Sequence, residues 1–272
     1  KRTDQNHQYI SGNKWYKLKY NLIEAKKQGF TTLLTFGGAY SNHIAATACL
    51  AKKNGFNSIG IIRGEKNLPL NTTLRLASEN GMKIHYVSRS DYRLKDSNDF
   101  LEKLKFQFGD IYIIPEGGTN KLGIEGASMI LDDNDNQNYI CCSVGTGGTV
   151  AGIINSKNES QKVIGFPAIK GSFFLQENIE KWTENGGWKL FNDYSYGGYA
   201  KVNRSLIDFV NNFYLTHNIP LDVIYTGKMM MAILDLVDKD YFEKGSTILA
   251  IHTGGLQGNL GISERLGITL PS

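Results

Sequence analysis

The sequence predicts an α/β fold built on parallel β-sheets. Short apolar runs bounded by turn residues alternate with stretches whose apolar residues recur at helical spacing, which indicates β-α-β units. Several of these runs lead into glycine-rich loops, as strands of open α/β sheets do where a ligand binds. Seven strands are expected, within residues 31–36, 58–64, 83–87, 110–118, 138–148, 162–168 and 246–255.

Residues 187–202 interrupt this alternation. The stretch is aromatic and rich in glycine, and its apolar residues follow no regular period. Because long irregular segments in compact proteins are often functional, it is a candidate functional segment.

Composition excludes two classes of partner. The 272 residues allow one or two domains, and 30 Lys+Arg against 26 Asp+Glu give a small net charge of +4. The charges are scattered, so nothing suggests nucleic-acid binding. No apolar segment approaches the roughly 20 residues that a membrane span needs.

The three cysteines are Cys49, Cys141 and Cys142. An odd and sparse count fits a reducing compartment, so a cytoplasmic protein is expected. We expect all three to be buried as small apolar side chains. No His/Cys cluster has the spacing of metal ligands, and no metal site is expected.

The first candidate loop, GGAYSNH, covers residues 37–43. Gly37 and Gly38 allow a sharp turn after the strand, and Ser41 and Asn42 are good N-caps for the helix that follows. The loop could be only a cap. It could equally be an anion site for a carboxylate or phosphate, formed by the free N–H groups of the helix start.

The second candidate loop, SVGTGGTVAG, covers residues 143–152. Its glycines and threonines can surround a phosphate with N–H groups and hydroxyls. The dinucleotide pattern G-x-G-x-x-G fails because Val150 stands where the third glycine should be, which disfavours a nucleotide-binding oxidoreductase. A monophosphate is the better ligand.

Two further segments are expected to follow strands. IHTGGLQG, at residues 251–258, would present the Thr253 hydroxyl, with His252 packed in the interior. DVIYTGK, at residues 222–228, would place Tyr225 and Thr226 just before a helix. The three methionines that follow, Met229–Met231, are read as core packing.

Lys14 lies near the start of a predicted helix. The helix N-terminus and burial both depress the pKa of a lysine, and a neutral amine forms Schiff bases with aldehydes. Lys17 shares a polar face with Asn21 and Glu24, so it is expected to face solvent. Pyridoxal 5'-phosphate (PLP) is the common cofactor that needs a Schiff-base lysine, a phosphate loop and a partner for its ring nitrogen.

The chain resembles the D-cysteine desulfhydrase/1-aminocyclopropane-1-carboxylate (ACC) deaminase family of fold-type II PLP enzymes. The family opens with K-R-E-D and G-G-N-K-x-R-K-L, and this chain has KRTD at residues 1–4 and SGNKWYKL at 11–18. The resemblance extends to HTGGLQG. It implies that Lys14 carries the cofactor.

The resemblance also implies a two-domain fold like that of the tryptophan synthase β-subunit, with helices on both faces of the parallel sheets. The large domain would contain residues 1–17 and 126–272, and the small domain residues 18–125. The family resemblance further implies a homodimer that acts on a small amino acid.

Other roles follow from the same resemblance. Ser41 would contact the substrate and relay a proton, Asn42 would bind the phenolic oxygen of the cofactor, and the N–H groups of 41–43 would bind the substrate carboxylate. Tyr199 and Tyr225 resemble the two active-site tyrosines. The implied phosphate loop consists of Gly145, Thr146, Gly147, Gly148 and Thr149, and the implied substrate-binding set is Ser41, Asn42 and His43.

Two positions resemble the desulfhydrase branch. ACC deaminases have Glu and Leu where this chain has Thr226 and Thr253, which makes both threonines candidate cofactor contacts. A carboxylate keeps the pyridine nitrogen protonated and makes the ring a strong electron sink, whereas a hydroxyl does so less well. Elimination of sulfide requires less electron withdrawal by the cofactor ring than the opening of a cyclopropane ring does.

The expected activity is therefore a lyase reaction that converts D-cysteine to pyruvate, ammonia and sulfide. The alternatives are ACC deamination to 2-oxobutyrate and ammonia, racemisation or dehydration of serine, and a non-catalytic protein that binds a phosphate or an amino acid. Trp15, Tyr16, Ala39 and Tyr40 depart from the family pattern and would reshape the substrate pocket.

Overall fold

Two four-stranded parallel sheets organise the chain. The computed structural model describes residues 1–6, 10, 12–66 and 68–271; Ser11, the first residue of the SGNK motif, lies outside them. The first sheet has the order β3-β2-β1-β4, and all neighbouring strands are parallel. Its strands are β1 (Thr32–Gly37), β2 (Asn57–Arg63), β3 (Met82–Val87) and β4 (Tyr112–Ile114).

The second sheet has the order β7-β6-β5-β8 and is also parallel. Its strands are β5 (Tyr139–Val144), β6 (Lys162–Pro167), β7 (Trp188–Leu190) and β8 (Ile248–Ile251). All seven expected strands are present. The eighth, β7, lies inside the stretch 187–202 that was expected to be irregular, and its three residues are too few to show an alternating pattern.

Eleven α-helices connect or flank the strands within the described residues. They are α1 (Asn13–Lys27), α2 (Asn42–Lys53), α3 (Thr72–Glu79), α4 (Arg89–Tyr92), α5 (Asn98–Phe108), α6 (Lys121–Ser128), α7 (Gly148–Ser156), α8 (Phe174–Glu180), α9 (Arg204–His217), α10 (Thr226–Asp238) and α11 (Gln257–Leu266). None of these helices is both long enough and apolar enough to cross a bilayer.

The second sheet is covered on both faces. Cys142 and its neighbours on β5 pack with α7, whereas Cys141 points to the other face and packs with Met229 and Ile233 of α10. Strand β5 is buried along its whole length, as a central parallel strand should be. The cysteines are free and buried as predicted, and the predicted α/β fold with parallel sheets and helices on both faces is confirmed.

The division into domains stays a prediction. One sheet uses residues 32–114 and the other residues 139–251. Both predicted boundaries, at 17/18 and 125/126, fall inside helices, namely α1 and α6. These two helices pack against each other.

One predicted strand end is wrong. Residues 222–225 follow no strand but form a turn between α9 and α10. The buried Asp222 carboxylate accepts the N–H groups of Tyr225 and Thr226, at 3.0 and 2.8 Å, and so closes the turn. An apolar run followed by Thr-Gly looks like a strand and its loop, but here the run packs as a turn.

Candidate active site

A cavity of about 280 Å³ opens where the carboxyl ends of the two sheets face each other. Strands β1 and β2 bring residues from one sheet, and β5 and β8 bring residues from the other. Eleven of the thirteen predicted site residues line it: Lys14, Ser41, Asn42, His43, Gly145, Thr146, Gly147, Thr149, Tyr199, Tyr225 and Thr253.

Lys14 is the second residue of α1, and the start of that helix is tied to the end of β8. The N–H of Asn13 donates to the Thr253 carbonyl at 3.2 Å. Gly12 has a φ of +76°, and a Cβ there would lie 1.9 Å from the same carbonyl oxygen, so only glycine fits. Backbone contact therefore fixes the position from which the Lys14 side chain enters the cavity.

Burial lowers the pKa of Lys14 to about 8, in the direction that the sequence led us to expect. At pH 7 such a lysine carries roughly 300-fold more neutral amine than one at the usual pKa of 10.5. Lys14 is therefore suited to act as a nucleophile or as a base.

Lys17 is not solvated, and that prediction is wrong. Its side chain is 1% exposed, and its Nζ donates to the Thr119 hydroxyl at 2.9 Å. Burial lowers its pKa well below the usual value, and the nearby Lys14 charge lowers it further. Asn21, on the same face of α1, also pairs with Asn120. The polar face of α1 therefore packs on residues about 100 positions away in the sequence.

The glycine-threonine loop after β5 presents hydroxyl donors to the cavity. The Thr149 oxygen accepts from the Asn13 amide at 2.8 Å, which leaves its proton free. Thr146 lies 2.6 Å from Thr119, whose oxygen accepts from Lys17. When the Thr119 hydroxyl donates its hydrogen bond to the Thr146 oxygen, the Thr146 O–H can donate to a ligand as well.

Backbone N–H groups at the start of α7 complete this anion site. Gly147 adopts a φ of +89°, which favours glycine. Gly148 does not line the cavity but lies beneath the loop, where a Cβ would come within 2.7 Å of the Lys17 Nζ. The loop thus combines hydroxyls and N–H groups, which is a donor set suited to phosphate.

The loop after β1 confirms the predicted cap. The Ser41 hydroxyl accepts from the N–H of Ile44 at 3.4 Å at the start of α2. The Asn42 side chain accepts from the Gln257 amide, which links α2 to α11. Ser41 and Asn42 therefore serve as part of a helix N-terminus and also line the cavity.

His43 is held in one neutral form. The Thr35 hydroxyl donates to the Ile114 carbonyl at 2.8 Å, so the His43 Nε2–H must be the donor in its 2.7 Å contact with Thr35. Burial, reinforced by the charges of Lys14 and Lys17, lowers the pKa of His43 well below its usual value. A hydrogen bond with the Pro115 backbone opposes this lowering in part.

Tyr199 and Tyr225 stand together at the cavity. Their ring centroids are 6.1 Å apart at an interplanar angle of 65°, an edge-to-face pair. Burial raises the pKa of both phenols, and for Tyr225 the neighbouring Tyr199 adds to the increase. Both phenols are therefore protonated near neutral pH and can donate a proton or a hydrogen bond.

The two threonines that were predicted to contact the cofactor occupy different places. Thr253 lines the cavity, with its hydroxyl 3.0 Å from that of Ser143. Thr226 is fully buried and does not line it, because its hydroxyl bonds the Asp222 carboxylate at 3.1 Å and accepts from the Asp222 N–H at 2.9 Å. Burial raises the pKa of Asp222 to about 6.

His252 is a packed histidine, as predicted. It is 5% exposed, its Nε2 bonds the Pro220 carbonyl at 2.6 Å, and its Nδ1 accepts from the N–H of Gly254 at 3.2 Å. Both ring nitrogens are therefore satisfied, and neither faces the cavity.

Sequence reasoning missed two charged residues that line the cavity, Arg63 and Glu116. The Arg63 guanidinium lies 5.7 Å from the centre of the Tyr92 ring. Glu116 accepts from the Tyr92 hydroxyl at 2.8 Å and lies 3.5 Å from the Lys95 Nζ. Arg63 ends β2 and Glu116 follows β4, so their position at strand ends was the available signal.

Residues 1–254 match the family described as pyridoxal-phosphate dependent enzyme. The chain belongs to this family. This result confirms the predicted cofactor, which fits the donor set around the cavity: the Lys14 amine could bind its aldehyde carbon, and the glycine-threonine loop could bind its phosphate.

Curated proteins that are similar in sequence indicate which group of PLP enzymes this chain belongs to. A Thermotoga maritima protein provisionally named as an ACC deaminase is 32% identical over 288 residues, which cover 98% of this chain and 91% of that protein. The mitochondrial bifunctional D-cysteine desulfhydrase/ACC deaminase of Arabidopsis thaliana is 30% identical, over 95% of this chain and 72% of its own length.

Among solved structures, an ACC deaminase homologue superposes with a TM-score of 0.86 at 27% identity, covering 98% of this chain and 86% of that one. The predicted membership in the D-cysteine desulfhydrase/ACC deaminase family of PLP enzymes is confirmed. Members of this family act on small amino acids.

Proposed function

We propose that this PLP enzyme eliminates the β-substituent of a small amino acid, with D-cysteine as substrate and pyruvate, ammonia and sulfide as products. One observation carries the proposal. Glu116 is the only carboxylate among the described residues that line the cavity, and Tyr92 and Lys95 already engage it. The cavity therefore offers hydroxyls, such as Thr253, but no free carboxylate to hold a pyridine nitrogen protonated.

In this proposal the N–H groups at the start of α2 bind the substrate carboxylate, and the phosphate lies at the glycine-threonine loop. Bound PLP supplies an electron sink for the negative charge that develops at Cα. Lys14, whose pKa is lowered to about 8, removes the α-proton, directly or with Ser41 as the relay. Both residues line the cavity.

The leaving group needs a proton donor. Tyr225 is suited to this role because burial keeps its phenol protonated. Its ring lies against Gly145, where a Cβ would come within 3.3 Å of the ring, so the phenol is held beside the phosphate loop. Tyr225 would protonate the departing sulfur, and Tyr199 would orient the substrate.

ACC deamination is the second candidate, and the provisional names of the relatives favour it. The two activities separate cleanly by product. PLP-loaded protein should release sulfide from D-cysteine much faster than from L-cysteine, and should release little 2-oxobutyrate from ACC. Tyr225→Phe should slow sulfide release and leave PLP binding intact.

Rapid 2-oxobutyrate formation without sulfide would replace the elimination proposal with ACC deamination. Turnover of L-serine alone, read as pyruvate, would point to dehydration. PLP binding with no turnover of any of these amino acids would contradict the elimination proposal and favour a binding protein.

A further inference from the structure

A buried lysine lies near one cavity tyrosine in the chain and contacts the loop that carries the other. Lys228, near the start of α10, is 2% exposed. Its Nζ donates to two backbone carbonyls, that of Ser195 at 2.8 Å and that of Gly198 at 2.7 Å. It forms no ion pair with a carboxylate of the described residues. Burying an ammonium group without a carboxylate partner is costly, so its contacts call for an explanation.

The carbonyls that Lys228 binds belong to a loop with unusual backbone geometry. Within five consecutive residues, four have a positive φ: Tyr196 (46°), Gly197 (92°), Gly198 (107°) and Ala200 (54°). Side chains disfavour this region, so Tyr196 and Ala200 adopt it only if surrounding contacts hold them there. The remaining residue of this run, between Gly198 and Ala200, is Tyr199.

Both cavity tyrosines are thereby linked through one helix. Tyr225 immediately precedes α10, and Lys228 lies three residues further along. The Lys228 side chain reaches from this helix to the carbonyls of Ser195 and Gly198. The second of these residues directly precedes Tyr199. The edge-to-face contact between Tyr199 and Tyr225 joins this loop to the residue that precedes α10.

We propose that Lys228 is a positioning residue that fixes the 195–200 loop and so holds Tyr199 against Tyr225 at the cavity. Lys228 does not line the cavity, so it acts through Tyr199 and not on the substrate. The importance of Tyr199 for turnover rests on the proposed function, but the effect on the loop does not.

The role does not need a charge on Lys228. Burial lowers its pKa to about 8, and the neutral amine that forms above this pH still has two N–H donors for the two carbonyls. A second contact, from the exposed Arg265 to the Ala200 carbonyl at 3.0 Å, lies on the solvent side and cannot replace the buried one.

The test compares Lys228→Met with Lys244→Met in the PLP-loaded protein. Lys244 is exposed, so its substitution makes the same chemical change away from the loop. In Lys228→Met, tryptic cleavage after the exposed Lys201 and hydrogen exchange of residues 195–201 should rise by about tenfold or more. Lys244→Met should match the wild type. Unchanged protection of the loop in Lys228→Met would overturn the proposal.

A double-mutant cycle tests the action through Tyr199. Lys228→Met should lower kcat by about tenfold in the wild-type background and have little effect in Tyr199→Ala, because the residue that it positions is already gone. Additive losses in the two backgrounds would overturn the positioning role. If Lys228→Met fails to fold, Lys228→Gln, which keeps an N–H donor on a shorter side chain, should give the same changes in smaller measure.

The two proposals fail in different ways. Proteolysis and hydrogen exchange need no substrate, so they test the loop even if D-cysteine is not turned over. Loss of loop protection without sulfide release would keep the role of Lys228 and reject the desulfhydrase proposal. The cycle would then use whichever amino acid the enzyme converts.

Discussion

The two sheets contribute different chemistry to one cavity. The second sheet supplies neutral groups at its carboxyl edge: the hydroxyls of Ser143, Thr146, Thr149 and Thr253, and the N–H groups at the start of α7. The first sheet supplies two charged side chains, Arg63 and Glu116, together with the N–H groups at the start of α2.

This difference separates two tasks. A phosphate that stays bound is well served by fixed dipoles and hydroxyls, which need no change of protonation. An amino acid that enters and leaves is better served by charged groups at a solvent-accessible edge. Lys14 lies on α1 between the two edges, so it can serve both tasks. Variants on the two edges should therefore alter PLP and substrate binding separately.

The largest effect is expected for Lys14→Ala, which removes the residue that both edges share. Turnover should fall by at least about 10³-fold, because nucleophile and base are lost together. Borohydride reduction of the PLP-loaded variant should leave no covalent adduct by mass spectrometry. Lys19→Ala, an exposed change on the same helix, should behave like the wild type. A covalent adduct and activity in Lys14→Ala would contradict the assignment.

Thr226→Glu tests whether Thr226 belongs to the cofactor side or to the scaffold. A glutamate there would lie beside the buried Asp222 carboxylate, which is 3.1 Å from the present hydroxyl. We expect the free energy of unfolding in urea to fall by about 3 kcal/mol or more, because two buried carboxylates repel.

Two variants sharpen that result. Thr226→Val should lose only about 1–2 kcal/mol, for the hydroxyl contacts with Asp222. Asp222→Asn should recover part of the stability of Thr226→Glu. Full stability of Thr226→Glu combined with a gain of ACC turnover would mean that position 226 faces the cofactor after all.

Gly147→Ala should weaken the cofactor side alone. Alanine at a φ of +89° costs about 1–2 kcal/mol, and its Cβ would lie 3.0 Å from Ile179. The Kd for PLP should rise by about tenfold, measured by absorbance titration. Gly245→Ala, also at positive φ but with no atom near its Cβ, controls for backbone strain. Equal PLP affinity in Gly147→Ala and wild type would remove this loop from the phosphate site.

The smallest effect is expected for Arg63→Met on the substrate side. The KM of the amino acid should rise by several-fold to about tenfold, because one charge-assisted contact to a carboxylate is lost. PLP affinity should not change. Added salt should raise the KM of the wild type more than that of the variant. Arg75→Met, another exposed arginine, is the control. A change in PLP affinity without a change in KM would reverse the assignment of the two edges.

Local sequence patterns were enough for much of this site. Gly-Thr-Gly-Gly after an apolar run predicts an anion loop, and Ser-Asn after Gly-Gly predicts a helix cap; neither depends on distant residues. The predicted role of Lys14 rests on its place at a helix start and on the family motif. The lowered pKa needs burial, which only the folded chain supplies.

The errors arose where distant residues decide the outcome. Lys17 looked solvated because Asn21 and Glu24 share its face, but Thr119 and Asn120 bury that face. The cofactor contact expected of Thr226 stays a prediction, and no local pattern showed that Asp222 engages its hydroxyl. Arg63 and Glu116 were not singled out from the sequence, since nothing local shows that β2 and β4 end at the same cavity.

Gly12 carries no reactive atom, yet it determines how closely the start of α1, and with it Lys14, approaches the end of β8. Its Cα approaches the end of β8 so closely that any side chain would push α1 away. A misplacement of about 1 Å at a reacting centre can cost roughly 10²-fold in rate. In a library of random variants, position 12 should therefore accept fewer substitutions than the hydroxyl positions that line the cavity. The distance between the end of β8 and the start of α1 therefore helps to determine the rate, because it sets where the Lys14 amine lies.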